Sequence, residues 1–322
     1  MANIHVIAKN AGVSAATVSR VLNHHPYVKD EKRQAVYRAM EDLGYSRNMN
    51  AVNLSRGKTD MIGVVVPTIN HPYFGNVVEG IAEEAMRSHL QLVLFQTNYE
   101  EKKELEALEQ LKGKKLDGVI FCSRACGDSF LLTFQNAGPI ILCEDSNIKE
   151  FPSISISHEE AFHCGLHYLI QKGHKKIAIC LGRKEGANSI KRIQAYKNEL
   201  GDMADEKWIF DKCLTIENGT EVIQKYLELE NKPTAFLVTN DQVAAGMLLE
   251  AENACLSIPE DLAIMSFDNQ PIAGLFNLST IDIPAKRMGS ELLKALLEER
   301  TSPGSSSRRK VLPFTLIERK TV

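Results

Sequence analysis

VIAKNAGVSAATVSRVLN, residues 6–23, is the stretch from which the rest of the chain is read. Around it Ile4, Ile7, Ala8 and Ala11 recur at i, i+3, i+4 and i+7, one face of a short amphipathic helix over residues 3–11. Gly12 suits the left-handed residue that closes a helix, and Ser14 is a good N-cap for the next one. That second helix, about residues 15–22, turns Val18, Val21 and Leu22 inward and leaves Ala15, Ala16, Ser19 and Arg20 outside. A third, about residues 30–43, opens on Asp30-Glu31, buries Ala35, Val36, Ala39, Met40 and Leu43, and stops at Gly44. Three short helices, the first two joined by a four-residue turn, make a helix-turn-helix unit.

Charge supports the same division. Residues 1–60 hold nine Lys/Arg against five Asp/Glu, a net of +4, whereas the remaining chain carries 29 against 36, a net of -7. A basic head on an acidic body fits a nucleic-acid-binding module joined to something else. Residues 46–60 (SRNMNAVNLSRGKTD) are polar, with one apolar strip of Met49, Ala51, Val52 and Leu54, and read as a linker that folds on binding.

From residue 61 the pattern changes. Apolar strand runs at Ile62–Val66, Leu92–Phe95, Gly118–Phe121, Ile140–Cys143, Ile177–Leu181, Ala235–Val238 and Ala263–Phe267 alternate with amphipathic segments near 75–89, 100–112, 158–172, 189–200, 218–229, 241–254 and 285–299. Such alternation predicts parallel sheets covered by helices on both faces, and a series this long predicts two sheets. Ligands of open parallel sheets bind beyond the carboxyl ends of the strands, so the residues just after each run are the ones to watch. Ser302–Arg309 (SPGSSSRR) reads as a flexible loop.

The totals bound the class. The chain has 322 residues, 44% hydrophobic and 25% charged, enough for two or three compact units. No run approaches the ~20 apolar residues of a membrane span, and no apolar leader follows a basic start. Seven cysteines, an odd number, sit mostly in apolar runs without a CxxC pair, as reduced buried cysteines do. The expectation is a cytoplasmic protein with no membrane partner, metal or cofactor.

These motifs together resemble the LacI/GalR family of bacterial regulators. The headpiece string is close to the family signature. Body landmarks agree at Asn70-His71-Pro72-Tyr73-Phe74, Gly173-His174, Asn240-Asp241, Ser266-Phe267-Asp268-Asn269, Met288-Gly289 and Leu316-Ile317-Glu318-Arg319. The resemblance implies an all-α helix-turn-helix headpiece (residues 1–45), a hinge (46–60), and an α/β periplasmic-binding-protein-like body (61–322). The body would be two doubly wound parallel-sheet subdomains, roughly 61–157 plus 285–312 and 158–284 plus 313–322, with three chain crossings. It further implies a homodimer on a palindromic double-stranded DNA operator, a small-molecule effector, and regulation of transcription, most simply repression, with corepression or activation as the alternatives, rather than catalysis.

Carried onto this sequence, the DNA-facing set is Ser14, Ala15, Ala16, Thr17, Ser19, Arg20, Asn23 and Tyr27 of the headpiece and Asn50 and Leu54 of the hinge. Arg20 has the two parallel donors that read guanine O6 and N7, or else contacts a phosphate. Ala15 and Ala16 offer only apolar contact with a thymine methyl, or are simply good helix formers. Thr17, Ser19, Asn23 and Tyr27 read as phosphate contacts, which position without specifying. Leu54 stands where the family wedges a leucine into the minor groove, and Asn50 and Arg47 depart from the usual apolar residue and proline. With two alanines silent in hydrogen bonding, much specificity is expected from DNA deformability at the hinge.

The effector set is Tyr73, Phe74, Arg192, Asn240 and Asp268. Aromatic faces over a sugar ring, with Arg, Asn and Asp reaching vicinal hydroxyls, make a polyol clamp. Plainer roles stand beside it: a strand-end turn for Asp268, a helix N-cap for Asn240, a surface charge for Arg192. Leu214 replaces a stacking aromatic found in several members. Gly186 replaces a basic residue of purine-responsive ones, which favours a carbohydrate effector. His163 and His167 are one helical turn apart, but His158-Glu159-Glu160-Ala161-Phe162-His163 is not HExxH, and the pair reads as solvent-facing. Ser157-His158 lacks a third partner for nucleophilic catalysis, no phosphate-binding glycine loop occurs and no secretion signal is expected, so a sugar-processing enzyme and a sugar-binding receptor are the weaker readings.

Overall fold

The computed structural model describes residues 3–23, 25–45, 57–146, 148–302, 304 and 309–322. They divide after Lys58 into two compact units. The hinge residues Arg47, Asn50 and Leu54 lie outside the described residues, as does most of the loop 302–309.

The first unit is a three-helix headpiece: α1 (Ile4–Asn10), α2 (Ala15–Leu22) and α3 (Asp30–Asp42). Asn3 caps α1, its side-chain oxygen accepting the His5 and Val6 amides at 3.0 Å. Gly12 takes φ +63°, the left-handed conformation that lets the chain turn within four residues. Ser14 then caps α2 by accepting the Thr17 amide at 3.2 Å. Ile7, Ala8, Val18, Val21, Leu22, Val36 and Ala39 form the core, joined by Val28 from the loop before α3. Several positions differ from the sequence expectation, with Ser19, Met40 and Leu43 half-buried as well as the two alanines that follow. Ala15 is half-buried against this core, and Ala35 only half-buried, because α3 shows its neighbours a narrower stripe than its apolar spacing allows.

The second unit begins β1 (Met61–Val66), α4 (Pro72–Arg87), β2 (Gln91–Gln96), α5 (Glu101–Lys112), β3 (Gly118–Phe121), α6 (Asp128–Leu132), β4 (Ile140–Leu142) and β5 (Ser153–Ile156). It continues α7 (His158–Gln171), β6 (Ile177–Cys180), α8 (Ala187–Leu200), β7 (Ile209–Phe210), α9 (Ile216–Glu228), β8 (Ala235–Val238) and α10 (Asp241–Asn253). It ends β9 (Ala263–Phe267), α11 (Pro271–Leu275), β10 (Ser279–Asp282), α12 (Ala285–Thr301), β11 (Arg309–Leu312) and β12 (Thr315–Ile317).

Two six-stranded sheets result, ordered β11-β5-β4-β3-β1-β2 and β12-β10-β9-β8-β6-β7. All neighbours are parallel except the β10–β12 pair. The chain passes from one sheet to the other after β5, after β10 and after β11. Each lobe therefore contains segments far apart in sequence.

Two pairs of helices meet backbone to backbone. A Cβ on Gly80 of α4 would lie 1.9 Å from the Lys286 carbonyl, and one on Gly289 of α12 would lie 2.0 Å from the Val77 carbonyl. Gly219 of α9 and Gly246 of α10 make the equivalent contact in the other lobe, at 2.1 and 1.9 Å. Both pairs bring a sheet-covering helix closer than any side chain would allow.

Strands β5 and β10, SISI and STID, are not among the apolar runs of the sequence. Their hydroxyl residues are nonetheless buried: Ser153 and Ser155 in one, Ser279 and Thr280 in the other. Distant groups satisfy several of them. Ser279 donates its amide to Thr321 Oγ1 (2.9 Å) and accepts from the Arg319 amide (3.0 Å), both from the C-terminal segment.

Candidate functional site

On the headpiece, Ala16, Arg20, Asn23 and Tyr27 are exposed, Tyr27 to 89%. Thr17 and Ser19 are half-buried, and the Ser14 and Thr17 hydroxyls bond each other at 2.9 Å, so both serve the start of α2 first. The Arg20 guanidinium makes no ion pair among the described residues and is available to an external acceptor. Its position on the exposed face of α2 follows from the burial of Val18, Val21 and Leu22 opposite.

In the body, the carboxyl ends of both sheets open on one cavity of about 150 Å³. All five effector candidates, Tyr73, Phe74, Arg192, Asn240 and Asp268, line it, together with Leu214 and Gly186. Tyr73 and Phe74 meet edge to face with centroids 5.1 Å apart, and the Tyr73 hydroxyl is 3.8 Å from Cys143 Sγ. Phe74 belongs to the lobe's core, whereas Tyr73 is only part-buried and presents its ring to the cavity.

Arg192 Nη2 donates to His158 Nδ1 at 3.1 Å. A guanidinium only donates, so Nδ1 accepts and the imidazole proton sits on Nε2. Burial, then the Arg192 and Lys191 charges, hold His158 well below its ordinary pKa, so it is neutral. The Arg192 guanidinium lies 5.5 Å over the Phe267 ring, and its buried Nε has no partner among the described residues. Burial lowers the pKa of Arg192, opposed by the charges of Asp268 and Tyr73.

Asp268 follows β9 with φ +98°, and Asn269 after it has φ +50°. Two non-glycine residues held in left-handed conformations are strain kept at a site. Gln270 Nε2 donates to Asp268 Oδ2 at 3.1 Å. Burial first and the Asp241 charge second raise the Asp268 pKa to about 8, against the pull of Arg192 and the Gln270 bond. Asn240 takes the helix-cap role as well as lining the cavity. Its Oδ1 accepts the Val243 amide at 2.8 Å, and its Nδ2 donates to the Cys213 carbonyl at 3.3 Å.

The sequence reading did not name several cavity residues. Arg183, after β6, stacks on the Tyr99 ring, after β2, at 4.1 Å and donates to the Arg124 carbonyl at 3.3 Å. Lys191 of α8 reaches Asp145, after β4, at 2.6 Å. Both contacts join the lobes, the first at the cavity and the second outside its lining. Arg183 also folds against Gly186, a Cβ there lying 3.4 Å from Arg183 Nε, so a guanidinium stands beside the position read as lacking a base. Arg124 is tied to Glu144 at 2.6 Å and to Asp128 at 2.5 Å. Its loop is fixed by the buried Glu104 carboxylate, which accepts the Ala125 and Cys126 amides at 2.6 and 2.8 Å. The signal that could have found these residues was already available, since Tyr99, Arg124, Glu144 and Arg183 follow strand ends.

Two family models match the chain. "Bacterial regulatory proteins, lacI family" covers residues 3–48, and "Periplasmic binding proteins and sugar binding domain of LacI family" covers residues 59–320. This chain belongs to the LacI family. It is a DNA-binding transcription regulator with an effector-binding domain, and not an enzyme. Among LacI-family relatives it is 52% identical to the uncharacterized HTH-type transcriptional regulator YkvZ of Bacillus subtilis (strain 168), over all of both chains. It is 37% identical to the NTD biosynthesis operon regulator NtdR of the same organism, over 99% of each. The Lac repressor dimer bound to operator and the anti-inducer ONPF shares the fold, with a TM-score of 0.85 and 24% identity over 99% of this chain and 98% of that one.

The seven cysteines are free, five of them buried, with Cys164 half-buried and Cys255 exposed. His163 and His167 both face Glu199 of α8, at 3.0 and 3.7 Å, on an exposed surface. No described helix is long and apolar enough to cross a membrane.

Proposed function

We propose that this regulator is a homodimeric repressor of a palindromic operator, released or engaged by a neutral carbohydrate bound between the two lobes. The observation that carries the effector class is that aromatic rings and hydrogen-bonding side chains line one cavity together, Tyr73 and Phe74 beside Arg192, Asn240 and Asp268. Arg124 is compensated by Glu144 and Asp128, whereas Arg192 lies beside neutral His158 and Asp268, whose raised pKa keeps it largely protonated at neutral pH. Arg183 makes no ion pair among the described residues and lays its guanidinium over the Tyr99 ring. Ring faces with paired donors and acceptors beside them favour a ligand with many hydroxyls. Similar proteins carry matching names: a ribose operon repressor of Haemophilus influenzae, 30% identical over all of this chain, and a Lactobacillus casei LacI-family regulator solved with bound sucrose, 26% identical with a TM-score of 0.75.

Effector binding would favour one degree of lobe closure, and the contacts of Arg183 and Lys191 with the other lobe are those such closure makes or breaks. In DNA, Arg20 reads one guanine, with Leu54 and Asn50 acting at the hinge as the family resemblance implies.

The test selects operators from a random-sequence pool with the full chain, then compares binding by the full chain and by residues 59–322. Equal binding by both would refute the regulator reading. Thermal shifts of the full chain against neutral sugars, sugar phosphates and nucleobases test the effector class; stabilisation by nucleobases alone would refute the carbohydrate. Arg20→Ala is expected to lose about 1–3 kcal/mol at one base pair of the selected operator. A uniform loss across all sequences would instead make Arg20 a phosphate contact.

A further inference from the structure

Asp241, the first residue of α10, is fully buried and accepts three hydrogen bonds. Its Oδ1 takes the Ser266 hydroxyl (2.5 Å) from β9 and the Thr280 hydroxyl (3.0 Å) from β10. Its Oδ2 takes the Gln270 backbone amide at 2.6 Å. The first two tie neighbouring strands to the helix. The third reaches the left-handed turn that carries Asp268, and Gln270 then passes the constraint on through its own side chain to Asp268 Oδ2. From the opposite side Arg319 Nη2 donates to Asn269 Oδ1 at 2.7 Å, and Asn269 donates to Asp282 at 3.2 Å. The turn is thus clamped at residue 269 and at residue 270, leaving Asp268 as the residue that faces the cavity.

We infer that Asp241 is the positioning residue of the effector site: as a buried carboxylate it holds the strained 268–270 turn through the Gln270 amide, and so fixes the place and the electrostatic surroundings of Asp268. The inference rests on the reading of Asp268 as an effector-facing group. It assigns Asp241 no contact with the ligand. The groups facing Asp268 are Arg192 from α8, Tyr73 from α4, Gln270 from its own turn and Asp241 from α10, with neutral His158 of α7 behind Arg192. Of these, Asp241 alone has a charge that opposes ionisation of Asp268 without making a hydrogen bond to it. Asp241 can hold that charge because three donors and the α10 N-terminus stabilise a carboxylate there, although burial raises its pKa to about 6.

The decisive substitution is Asp241→Asn. An amide at this position keeps an oxygen for the Ser266 and Thr280 hydroxyls but sets an NH₂ against the Gln270 amide, so it releases that bond and removes the charge together. Carboxyl-carbon NMR of the full chain labelled at aspartate, without any ligand, reads the titration of Asp268. Its midpoint is expected near pH 8 in the parent and clearly lower in Asp241→Asn. Ser266→Ala, which removes a tie from Oδ1 but keeps the Gln270 bond and the charge, should lower thermal stability and leave that midpoint in place. An unchanged midpoint in Asp241→Asn, or an equal shift in Ser266→Ala, overturns the inference.

Should Asp241→Asn fail to fold, the parent still decides the matter. The Gln270 amide proton should resonate downfield, resist exchange, and move with the titration of Asp241 near pH 6; a freely exchanging amide with an ordinary shift overturns it. Because these readouts use no effector, a failed carbohydrate screen would count against the proposed ligand and leave this result standing.

Discussion

Gly289→Leu is expected to destabilise the effector-binding body severely, by about 3 kcal/mol or more. The reason lies in what the new side chain would meet. A Cβ at Gly289 would sit 2.0 Å from the Val77 carbonyl and 2.9 Å from the Ile81 amide, all backbone of α4. A neighbouring side chain can change rotamer to relieve overpacking; a helix backbone cannot. The α4–α12 pair would have to separate, and α12 also covers β3, where Leu296 fills the space above Gly118. Urea unfolding followed by circular dichroism measures the effect. Gly274→Ala is the control, since a Cβ there meets nothing within 4 Å, and it should be neutral or slightly stabilising. A Gly289→Leu protein that unfolds at the parent's urea midpoint would show that the two helices do not approach this closely.

Asp268→Asn is expected to weaken effector binding by about 1–3 kcal/mol, since a group that accepts from ligand hydroxyls becomes one that competes as a donor. It should also make binding insensitive to pH. In the parent, ligand hydroxyls donate and the Arg192 charge attracts an anion, so the ionised carboxyl is the form the effector prefers, and affinity should rise as pH climbs towards about 8. The stability of the unliganded protein runs the other way. Folding raises the pKa of Asp268, so between the ordinary carboxylate range and about pH 8 the native state binds more protons than the unfolded chain. The contribution of this group is therefore greatest in acid and declines as pH rises through that window. Asn does not titrate, so the melting temperature of the variant relative to the parent should climb from pH 5 to pH 8.5. Thermal melts at several pH values, followed through the single buried Trp208, check this. A difference that stays flat with pH would mean that Asp268 is already ionised in the free protein.

Both sites were partly legible before any coordinates. The headpiece was written locally: Gly12 ends one helix, Ser14 caps the next, and the spacing of Val18, Val21 and Leu22 leaves Arg20 outside. Helix entry and exit depend on neighbours within four residues, so a linear pattern carries the information. Ala15 was misplaced because the first turn of α2 lies close enough to the core to be half-covered, which the spacing of apolar residues does not reveal.

The body's strand–helix alternation was equally plain, but β5 and β10 were not. A buried Ser or Thr strand resembles a loop until its partners are known, and Thr321 and Arg319 are some 40 residues from Ser279. By itself the sequence determined a helix-turn-helix head, a two-sheet body, and five residues of the cavity through their family resemblance. Only the tertiary structure decided which charges face one another: Arg183 on Tyr99, Arg192 on neutral His158, and Asp241 beneath the turn of Asp268. Periodicity and caps are set by the nearest few residues, whereas charge and hydrogen bonding at the cavity are set by groups that the three crossings between lobes bring together.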